Sequence, residues 1–135
     1  MNLAAAIYDR LSSDSTLTAM LATYEGHPAI FTAQPPGNAI LPYIVTAGDV
    51  VHLSWDTKTT RGREVVRDVR CYAPANGSAV VVEAIAERVR DLLHRGPLQI
   101  DGFRWVLSSV SGPIVADERD AYGRIVSVNL KAQED

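Results

Sequence analysis

Residues 41–74, LPYIVTAGDVVHLSWDTKTTRGREVVRDVRCYAP, form the stretch that decides the predicted fold. Two segments rich in β-branched and aromatic side chains, residues 43–55 and 63–73, flank the polar residues 56–62, which is the pattern of a β-hairpin. A straight strand over residues 43–55 would span about 43 Å, whereas a globule of this chain length is about 36 Å across. We therefore expect the hairpin to bend or to project from the domain.

Two features of this hairpin qualify the length estimate. Gly48-Asp49 interrupts the first strand, and because a glycine inside a strand often marks a bulge, we expect the strand to turn there. The alternation over residues 65–73 predicts one face toward the core and one toward water or a partner. Arg67 stands where a core residue is expected. Either the ribbon has left the globule at that point, which the length argument favours, or the arginine finds a carboxylate.

Apolar side chains at helical spacing predict three helices. Two short helices open the chain, and Asp14 is placed to cap the second because its carboxylate can accept hydrogen bonds from the free N–H groups of the first turn. The longest helix, over residues 79–95, carries one apolar stripe, and Gly96 with Pro97 supplies its end.

The rest of the chain predicts further strands. Asp101-Gly102 lies between two apolar runs and is the favoured two-residue hairpin turn, and a last strand is expected over residues 124–131. Together the elements predict an α+β fold with a mainly antiparallel sheet of about four to five strands packed against one long helix, two short N-terminal helices and a long projecting β-hairpin. We expect a single domain over residues 1–135, with residues 54–62 as the projecting tip.

The totals of the sequence limit the class of protein. The net charge of −3 argues against a dedicated nucleic-acid binder, which usually carries a strongly basic face. Cys71 is the only cysteine, so an intrachain disulfide and a multi-cysteine metal site are excluded, and a buried thiol is expected. No stretch approaches the roughly 18 apolar residues of a membrane span. Since the N-terminus also has no basic leader, we expect a protein made in the cytosol with no membrane partner.

Patterns that carry chemistry are missing from the sequence. His27, His52 and His94 fall in a loop, a strand and a helix end, without the spacing of a helical metal site. There is no nucleophile elbow and no phosphate-binding glycine loop. We therefore predict no catalytic residue, no cofactor, no metal and no enzymatic activity; the alternative is a catalytic site whose residues meet only in space.

The hairpin tip combines an aromatic side chain with charge. Five of the 13 basic residues lie on the tip and the return strand: Lys58, Arg61, Arg63, Arg67 and Arg70. This pattern indicates either a locally positive surface or a solvated strand in which carboxylates alternate with cations. Trp55 is either an anchor of a protein interface, where tryptophan is enriched, or a ring folded back on the edge of the core.

Four short motifs follow one another along the chain: Pro35-Pro36-Gly37, Leu41-Pro42-Tyr43, Lys58-Thr59-Thr60-Arg61-Gly62 and Asp101-Gly102. In this order, after a helical start, the chain resembles the phage tail-completion proteins. That family is also described as the tail terminators or tail-to-head joining proteins of long-tailed phages and phage-like particles. The likeness covers residues 3–130. At position 67 the chain differs from the family, because it has Arg67 where an aliphatic residue is usual.

The resemblance implies a structural virion protein. A homo-hexameric ring would cap the finished tail tube, end tail polymerisation and join the tail to the head-completion (stopper) protein. DNA would pass through the central channel without sequence-specific binding. The ring would assemble in the host cytoplasm and then occupy the head-tail neck of the virion. Contacts with the next subunit or the tail tube protein are expected from the tip residues Trp55, Asp56, Lys58, Thr60, Arg61 and Arg63.

A second hypothesis is a small nucleic-acid-binding module that uses the basic hairpin. Arg61, Arg63, Arg67 and Arg70 would then contact phosphates, and binding would weaken steeply with salt concentration. This hypothesis needs the four arginines to share one surface.

Overall fold

A computed structural model describes residues 2–46, 48–118 and 120–135 of the chain. The long strands begin at Gly62, and two helices lie near the start of the chain. In chain order the elements are α1 (Leu3–Ser12), α2 (Ser15–Thr18), β1 (Thr23–Tyr24), β2 (His27–Pro28), β3 (Ile30–Phe31), β4 (Tyr43–Val45), β5 (Asp49–Ser54), β6 (Gly62–Pro74), α3 (Val80–Leu93), β7 (Phe103–Val115) and β8 (Ala121–Glu134).

One mixed sheet of six strands forms the body of the described fold. Its order is β3-β4-β6-β8-β7, and β5 pairs with β6 next to β4. β3 runs parallel to β4, with Ile30 opposite Ile44, while the other pairs of this sheet are antiparallel. β1 and β2 form a separate two-stranded sheet. The predicted sheet of four to five mainly antiparallel strands is therefore wrong in strand number and in lacking the parallel pair. Residues 32–42 carry the chain back so that β4 runs alongside β3, a connection that local patterns do not indicate.

Helices from two parts of the chain cover one face of this sheet. Ile7 and Leu11 of α1 and Leu17 of α2 join Ile85 and Val89 of α3 in one hydrophobic cluster with the inward side chains of the strands. The prediction of a sheet packed against one long helix is therefore wrong in this respect, because the short helices also bury their apolar faces in the same core. The α+β class is confirmed.

Asp14 connects the N-terminal helices to α3. Its Oδ2 accepts a hydrogen bond from the backbone N–H of Leu17 at 2.8 Å, which confirms the predicted N-cap. Arg88 of α3 donates two hydrogen bonds to the same carboxylate, at 2.9 and 2.6 Å. The bond from Arg88 is the largest cause that lowers the pKa of Asp14 below its usual range, against the opposing effect of burial.

The return strand of the hairpin lies inside the sheet. β6 pairs with β8 from Gly62 opposite Gln133 to Pro74 opposite Ala121, and with β4 and β5 on its other edge. The N–H of Glu134 donates to the carbonyl oxygen of Arg61 at 2.8 Å, so pairing continues to the base of the tip. The predicted hairpin that projects on its own is therefore wrong. The length of β6 is matched by β7 and β8, which makes the whole sheet long.

The first hairpin strand is interrupted where Gly48-Asp49 predicts a turn. β4 ends at Val45, β5 begins at Asp49, and the pairing register with β6 shifts just after that point. Arg67 is only 7% exposed. Its guanidinium Nε donates to the carbonyl oxygen of Thr46 at 3.0 Å, and Nη2 donates to the same oxygen. The ribbon has not left the globule at Arg67, so the alternative favoured by the length argument is wrong.

Candidate functional site

The tip between β5 and β6 is held in shape by its own hydrogen bonds. The N–H of Thr57 donates to the carbonyl oxygen of Thr60 at 2.9 Å, and the N–H of Thr60 donates to Thr57 Oγ1 at 3.1 Å. Asp56 Oδ1 accepts from the N–H of Gly62 at 3.1 Å. These bonds close a compact turn whose outer end carries the exposed Lys58. The tip is therefore a preformed shape and not an open loop.

Trp55 lies back on the end of the sheet. Its backbone N–H donates to the carbonyl oxygen of Gly62 at 2.8 Å. The ammonium group of Lys131 is 5.6 Å from the centroid of the indole ring, within the range of a cation–π contact. The ring is half-buried. This is the folded-back position of the two alternatives, and the part of the ring that stays exposed leaves its role in an interface a prediction.

The predicted cations of the tip face different surroundings. Lys58 and Arg61 are exposed. Arg63 is also exposed, but its guanidinium carbon lies 5.7 Å from the centroid of the Phe103 ring, and its Nη1 is 3.2 Å from Nε2 of His52. A polar cavity of about 490 Å³ lies between Arg61, Arg63 and the end of β8. The structure therefore brings five of the six predicted residues together in the tip itself and places Arg63 against the sheet.

The four arginines of the nucleic-acid hypothesis do not form one surface. Side chains alternate along a strand, so Arg63 and Arg67 lie on one face of β6 and Arg70 on the other. Arg67 is buried and bonded to the Thr46 carbonyl, whereas Arg61 is exposed on the tip. A phosphate backbone could not contact these four side chains from one side.

A row of aromatic rings crosses the opposite end of the sheet, a feature that sequence reasoning did not single out. Tyr24, Phe31, Tyr43 and Tyr72 contact each other edge to face, with ring centroids 5.5, 5.8 and 5.6 Å apart in that order. Tyr43 is opposite Tyr72 in the register of β4 and β6. The tyrosine in the Leu-Pro-Tyr motif is a signal in the sequence, but its ring partners come from separate parts of the chain.

An open groove lies over Tyr43 and Tyr72. It has a volume of about 530 Å³, and Pro35 and Pro36 line it together with the two rings. The hydroxyl of Tyr72 donates to Oε1 of Glu118 at 3.1 Å. Burial raises the pKa of both tyrosines, and the negative charge of Glu118 acts in the same direction. We call this the tyrosine groove, defined by Pro35, Pro36, Tyr43, Val45, Tyr72 and Glu118.

The polar turn between β7 and β8 carries acidic groups next to this groove. Asp117 Oδ1 accepts from the N–H of Gly123 at 3.0 Å and from Arg124 Nη1 at 3.2 Å. The ion pair with Arg124 partly neutralises Asp117, although Arg124 also contacts Glu83 of α3 at 3.2 Å. Glu118 and Asp120 are exposed. The turn therefore presents carboxylates to solvent at the end of the sheet opposite the tip.

Two further properties concern the described part of the chain. Within residues 2–46, 48–118 and 120–135, no three or more His, Cys, Asp or Glu side chains come together in a way that could hold a metal ion. None of the helices described there is long and apolar enough to cross a membrane.

Comparison with known proteins gives a match over nearly the whole chain. The family described as "Tail completion protein gp17" matches residues 5–133. This bears out the resemblance that the four short motifs indicate. None of the curated proteins matches the sequence significantly.

A solved structure has a similar fold. The chain is 24% identical to a chain of a structure named "Virion of native gene transfer agent (GTA) particle", with a TM-score of 0.76. The alignment covers 98% of this chain and 93% of that one. At this identity the likeness shows a shared fold over essentially the full length of both chains.

Proposed function

The chain belongs to the family of the tail completion protein gp17 and is a structural protein of a phage-type tail, and from this premise we propose that it caps the tail tube as a homo-hexameric ring. The ring ends polymerisation of the tail tube protein and offers its other side to the head-completion protein. The family match over residues 5–133 carries this proposal. The fold shared with a chain of a gene transfer agent virion supports a place in the neck of a phage-like particle.

The arrangement of surfaces on one copy agrees with a ring. A closed ring needs heterologous contacts, in which one surface of a copy meets a different surface of the next. The tip and the tyrosine groove lie at opposite ends of the sheet, so a copy can use both at once. The tip residues Trp55, Asp56, Lys58, Thr60, Arg61 and Arg63 are proposed to contact the next subunit or the tail tube.

The charge of the chain agrees with a channel through which DNA moves. Strong binding to phosphates would hold the DNA in place, because each neutralised phosphate adds to affinity. A net charge of −3 and the absence of a shared arginine surface in the described residues support a lumen that lets DNA slide. We infer a structural role without enzymatic activity, with assembly in the host cytoplasm before the protein enters the virion.

The test is the length of tails formed without this protein. We expect particles from cells that lack its gene to show tail tubes of widely varying length and few joined heads in electron micrographs. Expression of the intact chain in the same cells should restore a single tail length. Tails of normal, uniform length that are joined to heads in the absence of the chain would overturn the proposal.

A further inference from the structure

The tip and the tyrosine groove belong to opposite ends of one strand pair. β6 and β8 are paired from Gly62 opposite Gln133 to Pro74 opposite Ala121. The tip precedes Gly62, and Glu118 lies just before Ala121. Twelve residue steps along a strand correspond to about 40 Å. The tip of a copy therefore cannot reach its own groove, and any contact between the two surfaces joins different copies.

The tyrosine groove suits a long cationic side chain. Pro35, Pro36 and Val45 give it apolar walls, while Tyr43 and Tyr72 supply aromatic rings. An alkyl stem can pack on such walls while its charged end stays at the rim, and the aromatic rings attract a cation electrostatically.

Glu118 adds a negative charge to this groove. It is exposed, and the only hydrogen bond that its carboxylate makes within the described residues joins Oε1 to the Tyr72 hydroxyl, at 3.1 Å. Its backbone N–H donates to the carbonyl oxygen of Ala121 at 2.9 Å, which holds the residue in the turn. Arg70 lies two residues before Tyr72 on the same face of β6, so a cation already lies beside the tyrosine. Glu118 is the carboxylate that lines the groove and can attract an incoming cation.

The tip carries the charge that this groove attracts. Lys58 stands at the outer end of the turn closed by Thr57 and Thr60. Residues 54–63 carry three basic side chains and one carboxylate, whereas residues 116–121 carry three carboxylates and one arginine. The tip segment thus has a net charge of +2 and the turn before β8 has a net charge of −2, which favours their association.

We propose that the tyrosine groove receives the tip of a second copy of this chain, with Lys58 lying over the tyrosine rings and its ammonium group pairing with Glu118. The tip and the groove are different surfaces, so the contact is heterologous and repeats from copy to copy until a ring closes. This inference rests on the proposed ring and adds the surface that the tip meets.

The experiment uses charge reversal in the full-length chain. Lys58→Glu and Glu118→Lys each place like charges in the contact. We expect either change alone to lower the association constant of assembly about tenfold. Assembly is measured by sedimentation velocity and by binding to purified tail tubes. Arg95→Glu and Glu87→Lys are the matched controls, because both residues are exposed and distant from the tip and the groove in sequence. The controls should assemble like the natural protein.

Two restorations make the test specific. The double variant K58E/E118K pairs the reversed charges and should assemble again. An equimolar mixture of the two single variants should also assemble, since each tip then finds an opposite charge on the groove of the other variant. This reciprocal rescue is expected only for a contact between two different surfaces.

Two different outcomes would contradict the proposed contact and the proposed ring. If the natural protein assembles and the single variants do so equally well, or if neither the double variant nor the mixture recovers, the proposed contact is wrong and the ring stands. If the natural protein never assembles, alone or on tail tubes, the ring is wrong and the contact with it.

Discussion

Gly62 lies against Trp55 so closely that no side chain fits between them. A Cβ atom at residue 62 would be 2.4 Å from the carbonyl oxygen of Trp55, 2.9 Å from Cε3 of its ring and 3.0 Å from the carbonyl oxygen of Ala132. The glycine therefore allows the indole ring to lie on the end of the sheet, where the tip begins. The close approach explains why the tip motif ends in glycine although this residue belongs to a strand.

The first prediction concerns this contact. Gly62→Ala should lower the free energy of unfolding by about 1–3 kcal/mol, because two of the three nearest atoms belong to the backbone and cannot move aside cheaply. Chemical denaturation monitored by tryptophan fluorescence measures the change. Gly37→Ala is the control, since nothing lies within 4 Å of a Cβ at that position. A Gly62→Ala variant as stable as the control would show that the ring relaxes away without cost.

The second prediction separates the tip from the stability of the domain. Replacing residues 56–61 by Asn-Gly keeps Trp55 opposite Gly62 and closes the hairpin with a favoured two-residue turn. We expect the variant to remain folded, because apart from the bond between Arg61 and Glu134 the tip is held by local contacts. It should fail to assemble on tail tubes. Circular dichroism checks the fold, and electron microscopy of complemented particles checks the assembly. Full particles from this variant would remove the proposed role of the tip.

The third prediction follows from the bond between Arg88 and Asp14. Because Arg88 lowers the pKa of Asp14 in the folded state, the stabilisation is present above the unfolded pKa of about 3.9 and is lost as the pH falls through the folded value. Asp14→Asn keeps a capping side chain but removes the charge. We expect lower stability than the natural protein at pH 7 and a smaller loss on acidification. Thermal unfolding from pH 7 to pH 2 measures both, with Asp9→Asn on exposed α1 surface as the control. Parallel pH profiles for the Asp14→Asn variant and the natural protein would contradict this account.

The fourth prediction concerns Cys71, which is fully buried in β6. Burial raises the pKa of its thiol to about 12, so almost no thiolate exists at neutral pH. We expect a disulfide reagent such as dithiobis-nitrobenzoate to leave the folded protein unmodified over hours and to react fully within minutes in denaturant. Rapid modification of the folded protein at pH 8 would indicate that β6 opens locally.

Local features of the fold could be predicted from the sequence. The Asp14 cap, the interruption around Gly48 and the turn at Gly102 each depend on the backbone preferences of a few neighbouring residues. The structure has Gly102 at a φ of 80°, in the region that glycine tolerates. The burial of Cys71 also followed from its place on the apolar face of a strand.

Contacts between distant segments could not be predicted in the same way. A strand pattern indicates that a segment pairs, but it does not indicate with which partner. The hairpin is expected to bend or project because a straight strand over residues 43–55 is longer than the domain is wide, whereas β6 pairs with β8 over its full length. The same length argument places Arg67 outside the globule, whereas its guanidinium donates to the carbonyl oxygen of Thr46, 21 residues earlier in the chain.

The sequence by itself determined the α+β class, the family and the composition of the tip, since these depend on motif order and on residues close together in the chain. Only the tertiary structure decided that the tip stands at the end of a long sheet and that a groove opens at the other end. The groove needs Pro36, Tyr43, Tyr72 and Glu118, which come from a loop, two strands and a turn. Side chains so far apart in the chain meet only when strand pairing buries the apolar faces of the sheet, and that pairing is decided by the whole chain.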